Sequence, residues 1–185
     1  MTNGGLREPW RSFLIDVDQQ LGGPTELHCL GGFVLAARHG LLRPTADVDI
    51  IEARGTTDLR TLQEIGGRGS TLARRHHVFL DIVTVATVPD DYETRLVDIP
   101  FGELTHLRLR AFERHDLALA KLARNADHDR EDVKHLALGP GLDCNLLRER
   151  YQTELRFQFG HVASADLTLE LWLAMITEVQ GPRPR

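Results

Sequence analysis

The sequence predicts an α/β fold, with a small sheet flanked by helices in residues 1–114 and a helical extension in residues 115–185. Two observations support this prediction. Short runs rich in Val, Ile and Leu alternate with helical hydrophobic periods in the first part, whereas only helical periods follow residue 114. In addition, 42% of the 185 residues are hydrophobic, which suffices for a core without disulfide or metal staples.

Helices and short strands alternate through the first part of the chain. Apolar residues at helical spacing from Trp10 predict a first helix, which ends at the glycine pair 22–23. Extended runs and helical periods then follow in turn. The predicted strands cover residues 27–30, 46–51, 78–88 and 107–112, and the predicted helices cover residues 33–38 and 57–65.

Four further helices are predicted in the second part. Asp116 is the expected N-cap of the first of them, and Gly139 with Pro140 ends the second. The predicted ranges are 117–124, 130–138, 142–159 and 165–179, with a frayed tail at 181–185. The residues expected to point inward from the last helix are Leu167, Leu171, Ala174 and Ile176.

Composition and charge argue against several classes of protein. The net charge of −5 does not suit nonspecific coating of DNA, and no apolar run approaches the ~18 residues of a membrane span. The N-terminus lacks the basic and then apolar layout of a secretory signal. The two cysteines, Cys29 and Cys144, lie far apart in sequence, which argues against a disulfide scaffold. We therefore expect a cytoplasmic protein with no membrane partner.

Two aspartates on one predicted strand are the first candidate site residues. Asp47 and Asp49 project from the same face because strand side chains alternate. Nearby carboxylates repel, and their burial without partners is costly. A hard divalent cation such as Mg²⁺, which binds carboxylate oxygens, would explain the pair. The alternative is an exposed edge strand whose charges deter aggregation.

Two further features extend this candidate site. Asp81 interrupts an apolar strand, and it would share the face of Asp47 and Asp49 if the two strands are neighbours. Three carboxylates suffice to hold two metals for phosphoryl or nucleotidyl transfer. The alternative is that Asp81 is a buried acid whose hydrogen bonds come from the backbone.

Gly31 and Gly32 precede a predicted helix, where backbone N–H groups can approach a phosphate. Taken alone, the glycine pair would be a turn.

Residues 30–51 resemble the nucleotidyltransferase signature of the DNA polymerase β superfamily. The shared features are a glycine pair, a short helix, an acid–apolar–acid strand and a third acid one strand later. Residues 43–46, directly before Asp47, make the chain similar to AbiEii-type and related minimal prokaryotic nucleotidyltransferases, many of them encoded in toxin–antitoxin loci. Residues 115–136 resemble the helical motif of that group, in which a lysine, here Lys121, precedes an Asp-x-x-Asp pair, here Asp129 and Asp132. The resemblance covers residues 27–138.

The resemblance implies a small mixed sheet of the nucleotidyltransferase type and a role for each matching residue. Asp47 and Asp49 would hold Mg²⁺, while Asp81 would assist a second metal or accept the proton of the acceptor hydroxyl. The residues implied at the nucleotide phosphates are Gly31, Gly32 and Lys121, with Asp129 and Asp132 orienting the lysine or capping its helix. Arg43 and Thr45 would brace the loop or reach phosphate oxygens. The chain departs from many active members at Phe33, where they carry a serine.

The expected function is Mg²⁺-dependent transfer of a nucleoside monophosphate from a nucleoside triphosphate to a hydroxyl group. The resemblance implies a tRNA 3′ end or a protein as acceptor, and a toxin with a cognate antitoxin; an antibiotic hydroxyl is a further acceptor. A non-catalytic nucleotide-binding or partner-binding module is the alternative from another class, and an antitoxin-like partner protein is a third. The arginines that would form a basic face for a polynucleotide are Arg74, Arg75, Arg108, Arg110 and Arg114.

Overall fold

A five-stranded mixed sheet organises the first part of the chain in the computed structural model, which describes residues 6–181. The strands are β1 (Thr25–Leu30), β2 (Asp47–Gly55), β3 (Phe79–Ile82), β4 (Val97–Asp98) and β5 (Leu107–Ala111). Their order across the sheet is β3-β2-β1-β5-β4. The pairs β1/β5 and β2/β3 are parallel, while β1/β2 and β4/β5 are antiparallel. The predicted α/β class, with a mixed sheet and C-terminal helices, is therefore confirmed.

Eight α-helices accompany this sheet in the described part of the chain. They are α1 (Trp10–Asp18), α2 (Gly31–His39), α3 (Leu59–Gly66), α4 (Thr71–His76), α5 (Arg114–Arg124), α6 (Asp129–Leu138), α7 (Cys144–Arg150) and α8 (Val162–Gln180). A π-helical turn, Tyr151–Leu155, extends α7. Among residues 6–181, no helix combines the length and the apolar character that a membrane crossing requires.

The chain divides into two compact units. The first comprises Met1–Thr84 and Leu96–Phe112, and the second comprises Val85–Arg95 and Glu113–Arg185. That residues 1–114 and 115–185 are separate domains stays a prediction. A frayed tail is expected at residues 181–185, of which residues 182–185 lie outside the described part of the chain.

The sheet of the first unit has one apolar and one polar face over β2 and β3. Val48, Ile50 and Leu80 are fully buried, and residues that alternate with them point to the opposite side. The apolar residues predicted on the first helix are all buried as well; they are Trp10, Phe13, Leu14, Val17 and Leu21. The opposite side of β2 and β3, which we call the polar face, carries all three candidate acids together with the ring of Phe79.

Two predictions about the elements were wrong, and one helix was not predicted. The strand expected over residues 78–88 is limited to β3, and Val85, beyond its end, is 91% exposed. Asp116 is not an N-cap, because Glu113 accepts the capping hydrogen bond at the start of α5. The sequence analysis also missed α4, whose N-cap is Ser70.

The inward face of α8 also differs from the prediction. Leu167 and Leu171 are each 62% exposed, and Ala174 is exposed too, so of the four residues expected inward only Ile176 is buried. The buried face consists of Ala165, Leu169, Trp172, Leu173, Met175 and Ile176. Leucines at every second position from 167 to 173 place apolar side chains on both sides of the helix, so the helical period alone does not identify the buried side.

Candidate active site

Three carboxylates converge on the polar face of the sheet. Asp49 on β2 pairs in register with Asp81 on the parallel strand β3, so both side chains project from the same face. Asp47 lies two residues before Asp49 and shares that face. One carboxylate oxygen from each of the three lies within 4.8 Å of the others. The predicted meeting of these acids on one face is confirmed, while their binding of a metal stays a prediction.

The glycine turn lies directly against this carboxylate cluster. Leu30, the last residue of β1, pairs with Asp49, and the chain enters α2 at Gly31 with a left-handed φ of 73°. A Cβ atom at Gly31 would lie 1.6 Å from Oδ2 of Asp49. Only glycine suits this position, because both its backbone conformation and its contact with Asp49 exclude a side chain.

The start of α2 is suited to an anion. Its N-cap residue, Leu30, provides no side-chain hydrogen bond to the first N–H groups of the helix. Helix N-termini carry such unpaired donors and a partial positive charge. A phosphate placed at Gly31 and Gly32 would therefore meet backbone donors beside the carboxylate cluster.

The loop before β2 supports the cluster from the other side. The Thr45 hydroxyl donates a hydrogen bond to Oδ1 of Asp47. Thr45 also lies against Gly32, where a Cβ atom would approach its Oγ1 to 3.3 Å. Arg43 lies in the same loop and is exposed. Thr45 thus connects the glycine turn to Asp47, while the phosphate contacts implied for Arg43 and Thr45 remain predictions.

Phe33 and Cys29 are buried close to the glycine turn in sequence, and neither supplies a ligand. Phe33 is fully buried, and its ring meets that of Trp10 edge-on at 5.6 Å between centroids. Burial, together with the charge of Asp49, raises the pKa of the Cys29 thiol. Cys29 is therefore a protonated core residue, and Phe33 belongs to the core rather than to a phosphate-binding loop.

The donor set of the cluster fits Mg²⁺. Asp47, Asp49 and Asp81 supply only oxygen atoms, they are partly exposed, and they lie close enough to share an ion. Mg²⁺ prefers such hard carboxylate ligands and completes its shell with water and substrate phosphates. Without a cation, three neighbouring carboxylates would repel one another.

Lys121, Asp129 and Asp132 form a separate buried cluster within the second unit. The Lys121 ammonium donates to Asp129 at 3.2 Å and to Asp132 at 2.6 Å, and it is only 3% exposed. Burial alone would raise the pKa of Asp129, but hydrogen bonds from Arg124 and the backbone of Ala126, with the Lys121 charge, lower it below its usual range. The lysine is thus not a surface residue, and its charge is balanced locally.

Sequence reasoning missed two residues beside the carboxylates. Phe79 pairs in register with Asp47 and lies two residues before Asp81, so its ring shares their face. The guanidinium carbon of Arg68 lies 4.1 Å from the centroid of that ring. The alternation that placed Asp81 on this face could have identified Phe79, whereas no local signal connects Arg68 to it.

Of the five arginines considered for a basic face, three contact acids of their own unit, namely Arg75, Arg108 and Arg110. Arg74 and Arg114 donate hydrogen bonds to the backbone carbonyls of Gly69 and Leu136. Arg75 lies 2.9 Å from Asp16, and Arg108 lies 3.0 Å from Asp98. These contacts reduce the positive charge available to a polynucleotide. The basic face for a polynucleotide stays a prediction.

This fold, with a glycine turn and an acidic trio on a mixed sheet, indicates the nucleotidyltransferase class, and comparison with protein families agrees. The family described as nucleotidyltransferase of unknown function (DUF6036) matches residues 14–177. Because the match covers most of the 185 residues, the chain belongs to this family. No curated protein and no solved structure matches the chain. The match supports nucleotidyl transfer in general, and membership of the AbiEii-type group stays a prediction.

Proposed function

We propose that this protein is a Mg²⁺-dependent nucleotidyltransferase that moves a nucleoside monophosphate from a nucleoside triphosphate to a hydroxyl acceptor. The observation that carries the proposal is the convergence of Asp47, Asp49 and Asp81 beside the Gly31 turn. It supports the proposal because carboxylate oxygens and the backbone at Gly31 lie together in the first unit, where they could bind a metal and a triphosphate. Transfer of a phosphate-bearing group needs both.

Each residue has a role in the proposed reaction. Asp47 and Asp49 hold Mg²⁺, and the N–H groups at Gly31 and Gly32 bind the triphosphate. Asp81 accepts the proton of the acceptor hydroxyl as its oxygen attacks the α-phosphorus and pyrophosphate leaves. When bound, the metal supplies positive charge that neutralises the phosphates.

Thr45, Arg43 and Lys121 have supporting roles in the proposal. Thr45 orients Asp47 through its hydroxyl, and Arg43 reaches phosphate oxygens from the loop before β2. The resemblance implies a positive charge from Lys121 toward the phosphates, but its ammonium is buried and is balanced by Asp129 and Asp132, so the role we propose for it is to join α5 to α6.

The biological setting of the proposal follows from the resemblance. We propose a cytoplasmic toxin with a cognate antitoxin, whose acceptor is a tRNA 3′ end or a protein side chain. An antibiotic hydroxyl would use the same chemistry. The hydroxyl chemistry is common to all three acceptors, and the first experiment offers the first two, as total RNA and cell protein.

The test is nucleotide incorporation by the purified chain. Wild type, Asp47→Asn and Asp49→Asn are incubated with Mg²⁺, each labelled nucleoside triphosphate, and total RNA or cell protein. We expect each variant to lose incorporation by about 100-fold or more, because a charged ligand is lost while the side-chain shape is kept. Asp127→Asn, at an exposed position in the second unit, is the matched control and should retain wild-type incorporation. Incorporation that persists in both site variants would refute the proposal.

A non-catalytic nucleotide-binding module is the second candidate function. Phe33 favours it, because the residue after the glycine pair is a buried core side chain and has no hydroxyl to offer to a phosphate. Titration calorimetry separates the two functions. Mg²⁺-dependent triphosphate binding without transfer to any acceptor supports the module, whereas binding with transfer supports the enzyme.

A further inference from the structure

A stacked arginine and phenylalanine border the carboxylate cluster. The ring of Phe79 lies beside Asp47 across the β2/β3 pair and on the same face as Asp81. The guanidinium of Arg68 lies over that ring, with 4.1 Å from its central carbon to the ring centroid. We call these two side chains the Arg68–Phe79 stack.

The backbone on both sides holds the stack in place. Gly67, next to Arg68, forms an isolated parallel bridge with Leu80, next to Phe79. Three residues after the bridge, Ser70 caps α4 by accepting a hydrogen bond from the backbone N–H of Ala73 at 3.0 Å. Arg68 is exposed and Phe79 is partly exposed. A planar cation is thus held against an aromatic ring with its outer side available.

The stack and the glycine turn lie on opposite sides of the carboxylates. In the strand order β3-β2-β1-β5-β4, Phe79 lies on the edge strand β3 and the Leu30–Gly31 junction lies at the end of the central strand β1, with Asp47 and Asp49 on β2 between them. If the triphosphate occupies the glycine turn, the acceptor hydroxyl approaches from the side of Asp81 and Phe79. The stack therefore adjoins the acceptor side of the cluster.

We propose that the Arg68–Phe79 stack receives the unpaired terminal base of a single-stranded polynucleotide acceptor. Guanidinium planes and aromatic rings stack on nucleobases, and this contact tolerates any base because every base has a π-face. A protein side chain has a hydroxyl but no base to place there. The inference rests on the proposed function and makes its acceptor a nucleic acid: the terminal hydroxyl oxygen bonds to the α-phosphorus, the bond to pyrophosphate breaks, and Asp81 takes the proton.

A binding experiment without nucleotide tests the stack. The probes are two 5′-fluorescein-labelled 12-nucleotide RNAs that differ only at the 3′ terminus, where one is abasic. Fluorescence anisotropy gives their affinities for wild type and for Arg68→Lys, which keeps the charge but not the plane. The control is Arg60→Lys on α3, whose arginine side chain is 88% exposed.

We expect wild type to bind the complete RNA at least about fivefold more tightly than the abasic RNA. Arg68→Lys should bind both RNAs equally, and Arg60→Lys should keep the wild-type preference. The inference is overturned if wild type binds neither RNA or binds both equally, or if Arg68→Lys retains the preference. Thermal unfolding confirms that both variants fold, as expected for substitutions of exposed side chains.

The outcomes also separate this inference from the proposed function. If wild type labels a protein but binds the two RNAs equally, the proposed function stands and the stack does not bind a terminal base. Wild type that prefers the complete RNA through Arg68, yet transfers no nucleotide to any acceptor, supports the platform and contradicts the enzyme.

Discussion

Gly31 and Asp49 are in such close contact that a Cβ atom on the glycine would lie 1.6 Å from Oδ2 of the carboxylate. The end of β1 and the middle of β2 therefore fix each other's position at the candidate site. Any side chain at residue 31 must displace the aspartate or the turn. The proposed metal ligand and the proposed phosphate-binding backbone are thus one structural unit.

This contact predicts that Gly31→Ala loses nucleotide incorporation by about 100-fold, the usual effect of moving a reacting group by about 1 Å. Gly40→Ala is the matched control. Gly40 has nearly the same left-handed backbone, with φ of 70° against 73°, but nothing lies within 4 Å of its Cβ position. The control should lose only about 1–2 kcal/mol of stability from backbone strain and keep its activity. Equal losses of activity in the two variants would mean that strain, not the contact with Asp49, is responsible.

The two cysteines are predicted to differ in reactivity. Cys29 is buried, and burial together with the Asp49 charge raises its pKa, so little reactive thiolate forms. Cys144 is partly exposed. Iodoacetamide at pH 8, followed by mass spectrometry, should modify Cys144 in the folded protein and Cys29 only after unfolding in urea. Modification of both at one rate in the folded protein would contradict the burial of Cys29.

The only two lysines of the chain provide a matched test of the buried ionic cluster. Lys121→Met would leave Asp129 and Asp132 buried without their ammonium partner, which costs about 3–5 kcal/mol of unfolding free energy. Lys134→Met removes only a surface pair with Glu131 and should cost less than about 1 kcal/mol. Urea denaturation measures both. Similar values for the two variants would show that the buried cluster contributes no more than a surface pair.

Glu113 predicts a specific pH dependence of stability. Burial alone would raise its pKa, but hydrogen bonds and charge from His115 and Arg150 lower it to about 2. A lowered pKa gives stability that is present above the unfolded-state value of about 4.3 and is lost as the pH falls toward 2. At pH 7, Glu113→Gln should be on the order of 2–3 kcal/mol less stable than wild type. That difference should shrink below about pH 4.3 in urea titrations, and a difference independent of pH would exclude this ionic contribution.

Local patterns predicted most of the first unit and the geometry of its site. Asp47 and Asp49 alternate with the buried residues Val48 and Ile50, so the period of two gave the correct face for both acids. Asp81 followed from the same argument once its strand was taken as a neighbour of β2. The alternation along each strand is local, whereas the pairing of β2 with β3 that brings Asp81 to the site is a contact between distant residues.

What could not be predicted depends on contacts between residues far apart in sequence. Asp116 has the sequence context of an N-cap, yet it is buried and accepts hydrogen bonds from Arg95 at 2.8 and 3.0 Å. Arg68 stacks on Phe79 beside the bridge between Gly67 and Leu80, which joins residues distant in sequence. The apolar residues after Ile82 suited a strand by propensity, but the chain leaves the sheet there. Tertiary contacts decided each of these cases over local preference.

The position of Asp81 on β3 has a consequence for how the activity would respond to warming and denaturant. β3 is a four-residue strand at the rim of the sheet, and it contributes one of the three carboxylates. Rim strands open by local fluctuations that leave the interior of a protein intact. Gentle warming or dilute denaturant should therefore abolish nucleotide incorporation while most of the backbone amides are still protected from exchange with solvent deuterium.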